Sequence, residues 1–293
     1  MAHRIRWGSL FFVGLLLATA GWHPGRSAIA EAPPPPPDPV SPASTHRVYL
    51  PLVLRAPRAC DPIPGVSYIH LDVLSTDRYD PNKPPPDNNP DYRLSLLGYY
   101  PVNRARQLIP YDPSHADPRA PQFTTLFADQ PVPPIVNTYQ ACGWDWVRHQ
   151  PICPAPWDHP NGWPPVSALG LQTAPETIVQ VPDSGYVPGW DCGPGGCDAL
   201  VLYASEWEIT LRYAREDDLF PGYTIHIVGI CVEPSLRALY RTLHAQGRER
   251  LPAVYGGQPI GRAWGNEIII ALRDNGPFMD PRDCHSFWRG HCP

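Results

Sequence analysis

Proline is the residue that most restricts how this chain can fold. Forty-two of the 293 residues are proline, well above the ~5% usual in proteins. Each ring locks φ, removes an amide donor and breaks a helix interior. Collagen-like repeats, coiled coils and long helical bundles are therefore disfavoured. Apolar residues still make up 43% of the chain and include ten tryptophans, enough to build a core. The combination predicts a loop-rich, mainly β globular protein.

The first thirty residues have the parts of a secretory signal. His3, Arg4 and Arg6 precede an apolar run from Leu10 to Ala20, about 16 Å of helix against the ~30 Å of a bilayer core. Ala28-Ile29-Ala30 offers a cleavage site, with Ala18-Thr19-Ala20 as the alternative. Residues 31–57 follow as a spacer with Pro33 to Pro37, Pro39 and Pro42, then the short apolar stretch His46 to Arg55. Export and an extracellular or cell-envelope location are expected, with no membrane span after cleavage. Removing residues 1–30 takes away three arginines and no acid, so 28 acids against 20 bases leave a formal charge of -8. That balance argues against nucleic acid as a partner, because phosphate binding needs a basic face.

Eight cysteines in an exported chain read as disulfides. Short loops favour Cys192–Cys197, Cys284–Cys292 and Cys142–Cys153, which leaves Cys60 with Cys231 by elimination. The competing reading is zinc at Cys284, His285, His291 and Cys292, but adjacent Cys-His pairs point poorly at one tetrahedral centre. No cofactor is expected. Residues 58–165 form an irregular region with strands at Ser67 to Leu74 and Tyr92 to Tyr100. It closes on a tryptophan-rich loop with Trp144, Trp146, Trp157 and Trp163. These aromatics are candidate glycan-stacking residues, or packing around a disulfide. Beyond residue 166, alternating runs at Ile178 to Val181, Ala199 to Tyr203, Glu208 to Tyr213, Tyr223 to Val228 and Glu267 to Arg273 predict strands. Glu233 to Gln246 predicts the helix, with Leu236, Leu239, Tyr240 and Leu243 as its apolar stripe. Asp274-Asn275-Gly276 predicts a hairpin turn.

Four pieces in residues 166–293 resemble, in order, the peptidase M23 (lysostaphin/LytM-like) β-domain, a zinc peptidase of peptidoglycan. They are Leu169 to Pro175 with Ile178 to Val187, Ile209 to Ala214, Gly257 to Gly261, and Asn266 to Pro281. The resemblance implies a loop-rich antiparallel β domain with one inserted α-helix, Glu233 to Gln246, behind the irregular β-containing N-terminal region. It also implies that the positions of the family's His-x3-Asp pair fall on Ala168 and Gln172, those of its His-x-His on Glu267 and Ile269, and a further histidine on Arg215. Alanine and isoleucine cannot ligate a metal, and arginine cannot serve as a neutral base. The expected function is thus a catalytically inactive M23-like domain that binds peptidoglycan, another glycan or an envelope protein. The alternatives are a hydrolase with a rebuilt site, from Glu267 with His226 or from Glu206 and Glu208 beside Asp217, and a structural or adhesion role.

Overall fold

The computed structural model describes residues 60–74, 84–110, 116–155, 164–184, 192, 196–217, 219 and 222–293. The signal segment, the proline-rich spacer, Trp157 and Trp163 lie outside the described residues. The strands, in chain order, are β1 (Ile69–Asp72), β2 (Tyr99–Pro101), β3 (Ile135–Ala141), β4 (Gly143–Asp145), β5 (Gln150–Ile152), β6 (Ala168–Gln172) and β7 (Ile178–Gln180). They continue with β8 (Ala199–Ala204), β9 (Glu208–Arg212), β10 (Tyr223–Val228), β11 (Ile230–Val232), β12 (Arg250–Val254), β13 (Pro259–Ala263) and β14 (Glu267–Asp274). The helices are α1 (Leu94–Leu97), α2 (Pro234–Ala245) and α3 (Cys284–Phe287).

Nine strands form one antiparallel sheet in the order β1-β12-β8-β9-β10-β14-β6-β3-β2, and β11-β13-β7 form a second sheet. The architecture is mainly β, as the proline content and the alternating runs predict. The large sheet takes β1, β2 and β3 from residues 58–165. Residue 166 is therefore a change in sequence texture and not a break in the sheet.

Period-two alternation decides what each face of the large sheet buries. Ile209, Leu211, Ile225, Ile227, Ile268 and Ile270 share the main core with Val179, Ile230 and Ile260 of the second sheet. Burying each such side chain contributes roughly 1.5–3 kcal/mol. The alternate positions on the same strands, Glu208, Thr210, Thr224, His226 and Arg273, are polar and also buried. A sheet polar on one inner face needs partners there, and those partners define the candidate site.

Helix α2 starts as its sequence requires. The Glu233 carboxylate accepts from Ser235 N at 2.7 Å and Leu236 N at 2.9 Å, with Pro234 at the first helical position. Leu236, Tyr240 and Leu243 are its buried stripe. The strand expected over Tyr92 to Tyr100 is replaced by α1 and the short β2. Leu94 and Leu97 are the residues buried, a helical spacing of three, and Gly98 at φ 83° then reverses the chain into β2. Asn275 and Gly276 both have positive φ, 49° and 98°, the requirement of a tight hairpin turn.

Candidate functional site

Strand register brings the candidate positions together. Along one row, Thr210 faces His226, His226 faces Ala271, Ala271 faces Ala168 and Ala168 faces Tyr139. The next row runs Glu208, Val228, Ile269, Gly170 and Asn137. Glu267 pairs with Gln172 one step further. Ala168, Gln172, Glu267 and Ile269 therefore share one face of β6 and β14. Arg215 does not join them: it lies beyond the far end of β9, where its Nη2 donates to Asp72 O at 2.7 Å.

Residues 91–97 pack on this face and supply partners for its polar groups. Glu208 is wholly buried. Its carboxylate accepts from Ser95 N at 2.9 Å and Ser95 Oγ at 2.6 Å, with Arg93 Nε at 3.7 Å. Burial pushes its carboxyl up, and the Ser95 bonds work against that. Asp91 meets Arg273 at 2.9 Å. Leu94, Leu97, Tyr99, Tyr139, Ala168 and Ala271 form a small apolar core beneath the segment. Tyr99 and Tyr139 pack edge to face at 5.3 Å. Both phenols are pushed above their ordinary range, first by burial, then by Glu208 and Glu267 for Tyr99 and by Glu267 for Tyr139.

The Glu267 side chain lies over Gly170, where a Cβ would fall inside its carboxylate. Its Oε1 accepts from Asn137 Nδ2 and Tyr139 OH, each at 3.0 Å. Asn137, Tyr139, Tyr99 and Ser95 were not legible as site residues. The β-branched and aromatic content of Ile135 to Ala141 is the signal that marks at least its strand.

The groupings considered for a rebuilt hydrolase are dispersed. His226 faces Ala271, four residues along β14 from Glu267. Glu206 pairs with Arg237 at 3.4 Å, Glu208 is held by Ser95, and Asp217 is locked to Arg248 at 2.7 Å. The structure pairs Cys60–Cys231, Cys142–Cys153, Cys192–Cys197 and Cys284–Cys292. The sulfurs of Cys284 and Cys292 are bonded to each other beside His285, so they do not act as thiolate ligands. Four disulfides are compatible with an oxidising compartment. Among the described residues no helix is long and apolar enough to cross a membrane.

Trp144 and Trp146 stand on the β4–β5 hairpin, which Cys142–Cys153 closes at its base. Their rings meet edge to face at 6.3 Å. Trp144 packs against the small apolar core, while Trp146 is 50% exposed. The hairpin thus projects an aromatic surface beside the Glu267 face.

His226 gives this face a titration signature. Thr210 Oγ1 spends its one hydrogen on Tyr92 O at 2.6 Å, so at 3.1 Å it accepts from His226 Nδ1. Nε2 is then a buried acceptor without a partner among the described residues. Burial, then Arg273, holds the imidazole well below its usual range. The unfolded chain binds the proton first, so His226 supports folding above pH ~6.5 and withdraws that support as pH falls. Stability contributed by this group is therefore expected to be lower at pH 5 than at pH 7. Urea unfolding of the protein and of His226→Gln at both pH values isolates it from His244, which acts in the same direction, and Glu208, which acts oppositely. Equal pH slopes in the two proteins would contradict the assignment.

No protein-family model, curated protein or solved structure matches this chain.

Proposed function

We propose that this is an exported, non-catalytic binding protein of the cell envelope or extracellular space. Its sheet keeps an M23-like layout and engages peptidoglycan, or another glycan or a protein partner. The observation that carries this reading is the register of β6 and β14. It gathers Ala168, Gln172, Glu267 and Ile269 on one face, where two of the four side chains have no atom able to hold a metal. The aromatic hairpin beside that face supports binding, because the exposed Trp146 ring offers a face to a sugar while half-buried Trp144 packs against it. Export is supported by the four disulfides and by the charge pattern and apolar run of residues 1–30.

Isothermal titration with purified peptidoglycan fragments tests the proposal. A saturable heat at one site is expected, and Trp146→Ala is expected to weaken it by about tenfold. No heat with any glycan fragment would remove the glycan reading.

A further inference from the structure

We infer that Glu267 anchors a site for a primary ammonium group. The inference rests on the reading above that this face receives a ligand, and it names the chemistry the face selects. Glu267 is half-buried at the start of β14, and its carboxylate lies over Gly170. Its Oε1 is taken by two neutral donors, Asn137 Nδ2 and Tyr139 OH. Its Oε2 has no partner among the described residues.

Three other carboxylates of the domain differ in one respect. Glu208 has Arg93, Asp91 has Arg273, and Asp217 has Arg248. Among the described residues no cation pairs with Glu267. Neutral donors orient a carboxylate but do not cancel its charge, and a partly desolvated charge without a counter-ion is costly. The fold makes room for this carboxylate, aims it, and leaves its charge unbalanced. An incoming cation balances it.

The geometry favours ammonium over other cations. A guanidinium grips a carboxylate through both oxygens, and here one oxygen is already doubly occupied. A divalent metal needs several charged or imidazole ligands close together, and among the described residues the other unpaired ligand atom on this face, His226 Nε2, is buried opposite Ala271, four residues along β14 from Glu267. An ammonium is compact and has three donors. Oε2 takes one, and the exposed Gln172 carboxamide directly across the strand pair offers a second acceptor. The ligand class is therefore a molecule with a free primary amine, such as a lysine-like side chain.

The test uses Nα-acetyl-lysine methylamide and its Nε-acetylated twin as probes, titrated at low salt and pH 7 against the isotope-labelled protein. Saturable amide shifts at residues 168–172 and 267–269 are expected with the amine and not with the acetylated twin. Glu267→Gln, which keeps shape and removes charge, is expected to weaken the amine about tenfold or more. Absence of saturable shifts, equal binding by the twin, or unchanged affinity in Glu267→Gln would overturn the inference. The twin comparison needs no variant, so it decides the matter even where Glu267→Gln is destabilised. Peptidoglycan-fragment binding that survives Glu267→Gln would overturn the amine site and leave the binding reading standing. Amine binding without fragment binding would do the reverse.

Discussion

Replacing Arg248 by alanine is expected to remove about 3–5 kcal/mol of stability, the usual result of stranding one member of a buried ion pair. Arg248 and Asp217 meet through two bonds, Nε to Oδ2 and Nη2 to Oδ1, both 2.7 Å, with both side chains essentially sealed from water. Nη2 also donates to Leu202 O at 2.8 Å, and Nη1 to Tyr240 OH at 3.1 Å. The guanidinium lies over the Tyr92 and Tyr240 rings at 5.8 and 5.6 Å. One side chain thus joins α2, β8, the Asp217 loop and the segment that packs on the candidate face. Urea unfolding measures the effect. A loss below about 1 kcal/mol would show that the pair behaves as an exposed one. The paired change Arg248→Met with Asp217→Leu is expected to recover much of the loss, because it removes both desolvated charges together.

Removing Cys60–Cys231 is the second large effect. Its cysteines are 171 residues apart, and closing a loop of that length lowers unfolded-state entropy by an equivalent of about 5 kcal/mol. Cys192–Cys197 spans 5 residues, for which the same relation gives about 2 kcal/mol. Serine replacement of each pair, compared by urea unfolding without reductant, is expected to preserve that order. The long bridge also fastens the chain entering the domain to β11, so its loss is expected to free β1 from β12 before the sheet interior opens. Equal losses for the two pairs would contradict the entropic account.

What could be read in the residues depended on the range of the interactions that matter. The strands from Ile178 to Arg273 alternate cleanly because one face is aliphatic, and that pattern is local. Helix α2 was legible for the same reason, through Glu233, Pro234 and its apolar stripe. The strand expected over Tyr92 to Tyr100 gives way to helix over Leu94–Leu97 because Leu94, Ser95 and Leu97 answer to distant partners, while Tyr99 and Tyr100 are strand. Ser95 exists as a helix residue to meet Glu208, 113 positions away. Asn137 and Tyr139 gave no sign of their role, since it arises only when β3 pairs with β6 across a bulge between Ile135 and Asn137. The candidate positions on β6 and β14 were named in sequence from a family resemblance, and strand register accounts for why four of them meet and Arg215 does not.

The polar inner face remains the feature on which the functional reading turns. A sheet that needed only stability would carry aliphatic residues at Glu208, Thr210 and His226, as it does on its opposite face. Residues 91–97 partner Glu208 and Thr210, and Glu267 is half-buried, Gln172 exposed and Trp146 exposed beside them.

The most direct measurement is calorimetric titration of the intact protein with purified peptidoglycan fragments, followed by mass analysis of the recovered fragments. The expected result is a saturable heat with fragments returned uncleaved. Absence of heat, or heat accompanied by cleaved fragments, would contradict a non-catalytic peptidoglycan-binding role.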